Sequence, residues 1–391
     1  MRNRYKADVV VIGGGVIGTS VAYHLAKERV KVIIVEKNDL ASGASGACCG
    51  FVGMQTRKPG LHLRIALESK KRFETLKDEL PVDIEYHNDG GMFIIQSDSE
   101  MDTMRQYVSE RRNAGLEVKI LDTKEARELE PFLSEEILGA TFSPMDANVN
   151  PYRLVQGYAK GAHEYGSQIM TGTRARGIGI SNGRIQNVET NRGTIETPVV
   201  VNAAGAYAAE VGRLVGLEIP VVPRRGQIIV TERTDTPKIK SALLSANYFA
   251  AKFNPDLAQK NTDFTNIEQM ENGTILLGCS LEFAGFDRTT TRETLRGIAE
   301  RASKIVPGLR NTQIIRSYAG LRPYSPDGLP IMGPVKSMPG FFVATGHSGD
   351  GICLSAITGM LLAQQIVHGQ SEISLNEFSL DRFQQSKTAL G

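Results

Sequence analysis

The sequence predicts an α/β protein: a doubly wound domain built from three separated segments, and a mostly antiparallel α+β domain made from the two stretches between them. Three observations predict it. An apolar, β-branched run near the N-terminus leads through a glycine-rich turn into a helix; two later runs of the same kind also break into small residues; and the stretches between them alternate short strands with turns.

The first run is Ala7 to Ile12; Gly13, Gly15 and Gly18 follow it as G-x-G-x-x-G, with Val16 and Ile17 between the last two, and a helix over Thr19 to Glu28 comes next. Gly13 permits the tight turn, Gly15 lets the backbone approach a pyrophosphate, and Gly18 lets the helix pack closely on the strand. Free N–H groups at the helix N-terminus then face phosphate. A second strand, Lys31 to Val35, ends on Glu36, where an acid would grip a ribose hydroxyl and repel a 2′-phosphate. The combination is a Rossmann-type dinucleotide site; G-x-G-x-x-G alone would be weak evidence. After Glu36 and Lys37, the small and hydroxyl-bearing residues Ser42, Gly43, Ser45, Gly46, Cys48 and Cys49 suit a backbone running along the ligand, or a flexible loop.

Leu61 to Leu80 reads as an amphipathic helix ending before Pro81, its face structural. The character changes at Val82. Ile84 to His87 and Met92 to Ile95 read as strands about an Asn88–Gly91 turn, followed by helices over Ser99–Gly115 and Thr123–Glu130. A helix over Leu154–Gly166 returns to the first domain. Three strands follow, with turns at Ser181–Gly183 and Asn191–Gly193, the last of them ending in the apolar run Pro198 to Asn202 that opens into Ala203, Ala204 and Gly205. Ile219 to Pro223 marks the second departure: strands at Gly226–Thr231 and Thr274–Gly278, a polar excursion over Pro255–Glu271, and a helix over Thr291–Val306. The last return is a strand over Gly340–Gly346, a loop of Ser348, Gly349, Asp350 and Gly351, and a small-residue helix from Ile352 to His368. The expected division is 1–81, 148–222 and 331–391 for the nucleotide-binding domain, and 82–147 and 223–330 for the substrate domain.

With 41% apolar and 23% charged residues and a net charge of +2, the composition is that of a globular protein with no basic surplus for nucleic acid. No apolar run reaches membrane-spanning length, and the N-terminal residues run into the first strand without a secretory pattern. Four cysteines without C-x-x-C spacing read as reduced thiols of a cytoplasmic protein, and no His/Cys spacing suggests a metal.

Val11 to Gly18 with Glu36, Val201 to Ala206, Ala319 to Pro330, and Gly346 to Ile352 together resemble the FAD-dependent amine oxidoreductases of the D-amino-acid oxidase and glycine oxidase group, over essentially the whole chain. Ala319–Pro330 and Gly346–Gly359 look most like β subunits of heteromeric enzymes acting on sarcosine, proline or hydroxyproline, opines, or glycine in hydrogen cyanide synthase. The resemblance implies oxidation of an amino acid's C–N bond by hydride transfer to flavin N5, with partner subunits carrying further redox centres, in the cytoplasm or held at a membrane surface through those partners. The alternatives are a stand-alone oxidase producing peroxide and a flavin-bearing electron-transfer scaffold. Relatives with covalent flavin carry a His near the start of the Cys48–Gly50 segment or a Cys near Gly320; Ala47 and Gly320 stand at about those places, which implies non-covalent FAD.

Within that resemblance, the helix starting near Ile352 would aim its dipole at the N1–C2 carbonyl side of the flavin, with Gly346, Gly349 and Gly351 allowing the approach. Arg322 is the candidate for the substrate carboxylate, or else an interdomain salt bridge. Tyr248 and Tyr324 could close over the substrate or belong to core and wall, and His347 is either a general base or a buried, hydrogen-bonded histidine.

Overall fold

The computed structural model describes residues 3–253 and 262–383. Two large sheets organise it. The first has six strands in the order Ile331–Pro334, Phe341–Thr345, Val199–Asn202, Val9–Ile12, Val32–Val35 and Gln168–Met170. All neighbours are parallel except the first pair. Val9–Ile12 and Val32–Val35 are buried at every position, as expected of a parallel sheet covered on both faces. One face carries the helices Val16–Lys27, Pro151–Glu164 and Gly351–His368, which pack on one another and on Leu61–Glu79. Pro151 is at the first turn of its helix and Asn150 caps it, accepting from the Tyr152 and Arg153 amides. A four-stranded sheet, Arg4–Lys6, Gly193–Glu196, Arg184–Thr190 and Ala175–Ser181, adds its apolar residues to the core on the other face.

Gly351–His368 has the length and hydropathy to cross a membrane, although the sequence pattern predicted no such run. Its residues Ile352 to Gly359 and Leu361 to Ala363 are buried in the core of this fold, which accounts for their composition.

The second sheet has eight strands: Ile314–Tyr324, Val222–Arg233, Thr274–Leu281, Thr262–Gln269, Ala242–Ser245, Gly91–Ile95, Gly139–Ser143 and Lys119–Leu121. Only Ala242–Ser245 and Gly91–Ile95 are parallel neighbours. The amphipathic helix Arg292–Ile305 buries Ile298, Ala302 and Ile305 against it.

Two expected elements are corrected. Ile84–His87 is not a strand: Glu85 has φ 51°, and the segment makes one isolated bridge, His87 to Asn148. The excursion over Pro255–Glu271 falls partly outside the described residues. Its described part contains the strand Thr262–Gln269, paired on both sides and mostly buried. The strands Gln168–Met170, Ala242–Ser245 and Ile314–Tyr324 were not predicted.

Candidate active site

The carboxyl ends of the parallel strands, the glycine-rich turns after them and one face of the eight-stranded sheet enclose a cavity of about 610 Å³. At the first turn, Gly13 has φ +121°, and a Cβ there would lie 2.3 Å from the Ala203 carbonyl oxygen. A Cβ on Gly18 would lie 1.9 Å from the Gly13 oxygen, so this glycine closes the helix onto the strand. Gly13, Gly15, Val16 and Ile17 line the cavity. The Val16 amide donates to Ser45 Oγ at 2.9 Å, holding the Ser42–Cys49 segment over the helix N-terminus. Glu36 lines the same end and accepts from the Gly14 and Asn38 amides at 2.7 and 2.8 Å. Lys37 stands over the Tyr207 ring, and Thr173 to Arg176, unforeseen from the sequence, complete this end.

Ser42, Ser45, Cys48, Cys49, Ala203, Gly205, Ser348, Gly349, Asp350, Gly351 and Ile352 also line the cavity, with Lys37. Gly18, Gly46 and Gly346 stand behind its wall. Gly46 is pressed against the Ala41 carbonyl, where a Cβ would lie 2.3 Å from the oxygen, and Gly346 adopts φ +72° with its carbonyl receiving the Ser325 hydroxyl. The four cysteines are free, and burial pushes the Cys48 thiol up to about 12 and the Cys49 thiol well above its ordinary value. Among the described residues no group of three His, Cys, Asp or Glu side chains is arranged to hold a metal ion.

Arg322, Tyr248 and His347 all reach the cavity. The Arg322 side chain crosses over Gly226, where a Cβ would lie 2.0 Å from Nη1. It donates to the Ser280 carbonyl at 3.3 Å and to Cys279 Sγ at 2.9 Å. It makes no ion pair with a carboxylate among the described residues, so the interdomain salt bridge is absent there. Burial works against its charge, but the neighbouring Cys279 and Tyr248 more than offset this, and its pKa is raised. Gly349 approaches both Arg322 and Tyr248: a Cβ on it would lie 3.6 Å from the Tyr248 hydroxyl and 4.0 Å from Arg322 Nε. Tyr324 lies off the cavity, edge-on to Phe283. His347 is 2% exposed; its Nε2 pairs with Thr358 Oγ1 at 3.1 Å, and burial pushes its pKa down to about 4, leaving it neutral at pH 7.

The least foreseen feature surrounds Asp350, the residue before the helix Gly351–His368. Its buried carboxylate accepts from Arg57 Nη1 at 2.6 Å and Lys252 Nζ at 2.9 Å, and lies 3.3 Å from His62 Nε2. Desolvation opposes the charge on Asp350, but the two cations hold its carboxyl well below the usual range. Burial lowers Lys252 to about 8 and His62 to about 4. With His62 neutral, the cluster carries one surplus positive charge beside the cavity, at a helix N-terminus that itself favours negative charge.

Glu268, 2% exposed, receives the Gly50 amide at 2.9 and 3.1 Å, and burial raises its pKa to about 7. Because the folded state raises this pKa, the proton it retains stabilises the fold below the ordinary carboxylate range. That contribution is lost as pH rises from there through about 7. Glu268→Gln should therefore gain stability relative to wild type between pH 5 and pH 8, read from urea unfolding at the two values. A constant difference would show that Glu268 ionises as easily folded as unfolded.

The cavity walls suit a long dinucleotide. Cβ-free positions at Gly43 and Gly205 open onto space with nothing within 4 Å, two helix N-termini border the cavity, and the buried Arg57 Nε on its wall has no hydrogen-bond partner. Comparison with known proteins agrees. The model of the family described as FAD dependent oxidoreductase matches residues 8–365. The chain belongs to this family. Hydrogen cyanide synthase subunit HcnC of Pseudomonas aeruginosa is 32% identical to it over 98% of each chain. Glycine oxidase of Geobacillus kaustophilus is likewise 32% identical over 98% of each. Among solved structures, L-proline dehydrogenase from P. horikoshii superposes with a TM-score of 0.88 at 27% identity, covering 98% of this chain and 99% of that one. The protein is an FAD-dependent oxidoreductase whose parallel sheet and glycine-rich turns form the dinucleotide-binding fold.

Proposed function

We propose that this FAD-dependent enzyme oxidises the C–N bond of a small amino acid or N-substituted amino acid, giving an imine that hydrolyses. The observation that carries the reading is Arg322: a half-buried guanidinium on the cavity wall, without a carboxylate partner among the described residues, beside the Gly346–Gly351 loop. A planar fork in such a place suits a substrate carboxylate. Amino acids are what two of the named relatives act on: glycine and proline. A screen of amino acids for flavin reduction, with dye and with oxygen as alternative acceptors, tests it.

Gly13, Gly15, Val16, Ile17, Glu36, Lys37, Ser42 and Ser45 would hold the nucleotide and pyrophosphate. Cys48, Cys49, Ala203, Gly205 and Ser348 to Ile352 would border the rest of the cofactor. The division into a cofactor-binding unit of 1–81, 148–222 and 331–391 and a substrate unit of 82–147 and 223–330 belongs to the same reading, supported by the separate sheets those segments contribute. FAD supplies the two-electron acceptor. Arg322 orients the substrate by its carboxylate, Tyr248 covers it, and the helix dipole with the surplus cation of the Arg57–Asp350–Lys252 cluster favours negative charge at the cavity edge. His347, neutral and held by Thr358, serves as wall.

FAD is held without a covalent bond in this reading. Ala47 and Gly320 face each other: a Cβ on Gly320 would lie 2.5 Å from the Ala47 carbonyl oxygen, so neither position offers a nucleophile and Gly320 leaves no room for one. Acid precipitation should leave the yellow colour in the supernatant. Colour retained by the precipitated polypeptide would contradict non-covalent binding.

The chain further reads as the catalytic subunit of a heteromeric dehydrogenase, supported by its similarity to a protein named as a synthase subunit. The equal identity to a glycine oxidase supports the second reading, a peroxide-producing enzyme complete in itself. Co-purification and oxygen turnover separate the two: slow turnover alone and recovery with partners support the first, and full-speed peroxide formation by the chain alone supports the second.

A further inference from the structure

A row of side chains crosses four adjacent strands of the eight-stranded sheet. Ile228 pairs with Gly278, Gly278 with Asn266, and Asn266 with Leu244. Ile228, Asn266 and Leu244 line the cavity, as does Phe264 of the same strand as Asn266. Gly278 adds no side chain, which leaves open the step between Ile228 and Asn266. The guanidinium of Arg322 ends at Cys279 and Ser280, immediately beyond Gly278. Arg322 and Asn266 thus share one cavity wall.

Asn266 is 6% exposed, and its side chain has no hydrogen-bond partner among the described residues; its Oδ1 is buried and unsatisfied. Buried amides are normally paired; with no bond fixing its rotation, this amide can turn either its oxygen or its nitrogen to the cavity it lines. The surroundings restrict that ligand. Ile228, Leu244, Phe264 and the Tyr248 ring, packed 4.3 Å from Phe264, give an apolar wall, and Arg322 is the one charged residue of this sheet that lines the cavity. Asp350, whose cluster reaches the Tyr248 ring through Lys252, is committed to Arg57 and that lysine.

Resting on the reading of Arg322 as the carboxylate site, we infer that Asn266 receives the substrate's amino nitrogen, and that the substrate is a monocarboxylic amino acid with an uncharged, aliphatic substituent. The carboxylate takes the fork of Arg322, an N–H group is accepted by the Asn266 amide oxygen, and the substituent covers Ile228, Leu244 and Phe264. A cationic substituent would find Asp350 already committed, and an anionic one would give up water for an apolar wall. A hydrogen atom in its place would leave the apolar wall uncovered.

The test uses the holoenzyme under anaerobic conditions. Both enantiomers of proline, valine, glycine, aspartate and lysine are offered, and flavin reduction is followed; an enantiomer of proline or valine should be the most efficient. Binding is then measured by perturbation of the oxidised flavin spectrum in a dithionite-free rapid-mixing experiment, using that amino acid and its nitrogen-free analogue, cyclopentanecarboxylate or isovalerate. Asn266→Leu should weaken the amino acid by roughly 10- to 100-fold, the range for a lost hydrogen bond to a charged group. The analogue, which cannot use Asn266, should keep its affinity within about threefold, whereas Arg322→Ala should weaken both. Asn266→Ala, which only removes atoms, gives the same readout if leucine disturbs the wall. Equal effects on amino acid and analogue, or none on either, would overturn the role of Asn266. Preference for aspartate or lysine would overturn the substrate class. Failure of every amino acid to reduce the wild-type flavin would instead strike the parent reading of Arg322, and this inference with it.

Discussion

Arg322→Ala is expected to raise KM by roughly 30-fold or more while the spectrum of the bound flavin stays unchanged. The estimate follows from removing one partner of a desolvated charge pair, on the order of 2–5 kcal/mol. The geometry supports the clean separation of the two effects. Arg322 is held by Cys279 Sγ and the Ser280 carbonyl, both on the eight-stranded sheet, while the end of the cavity proposed for the nucleotide is built around Gly13, Ser45 and Glu36. Arg322→Lys should recover little, because a single ammonium cannot reproduce the fork that spans a carboxylate. Steady-state kinetics with the best substrate check both variants. An unchanged KM in the two would return Arg322 to a structural role.

Asp350→Asn should destabilise the protein by about 3–5 kcal/mol, the penalty for removing one partner of a buried ionic group. Asp350 is 2% exposed and its carboxylate is the shared acceptor of Arg57 and Lys252, so the amide would leave two cations facing each other out of water. Such a loss is a large share of the 5–15 kcal/mol typical of a folded protein. The contrast is Asp327, paired with Arg382 at 2.7 Å but 35% exposed in its side chain; Asp327→Asn should cost under about 1 kcal/mol. Urea unfolding of the two variants side by side makes the comparison. Because the folded state depresses the Asp350 pKa, its stabilising contribution is complete above the ordinary carboxylate range. Acid removes it only as pH falls through the depressed value. A loss at Asp350 no larger than at Asp327 would mean that the buried cluster is solvated or rearranged in solution.

The nucleotide end of the cavity was legible because its signal is local. Gly13, Gly15, Gly18 and Glu36 lie within one strand–helix–strand unit, and each residue type answers a requirement set by its neighbours in sequence. The far wall was not, because pairing between distant strands creates it. Thr262–Gln269 looked like a polar excursion since Phe264, Asn266 and Glu268 alternate on one face; that face meets the cavity and the Gly50 amide, so its polarity belongs to the site. Arg57 and Lys252 carry no spacing that connects them to Asp350, and only the folded chain brings the three together. Ile84–His87 had the composition of a strand, but the left-handed backbone at Glu85 interrupts it. Arg322 was found through the resemblance of its segment; its guanidinium has no carboxylate partner among the described residues, which removes the salt bridge and supports the proposed ligand site.

The most direct test of the central claim is anaerobic titration of the isolated, FAD-loaded chain with small amino acids and N-substituted amino acids. At least one should bleach the oxidised flavin stoichiometrically, with wild-type protein needing far less of it than Arg322→Ala. A flavin that dithionite reduces but no amino acid does would contradict the assignment of this chain as an amino acid oxidoreductase.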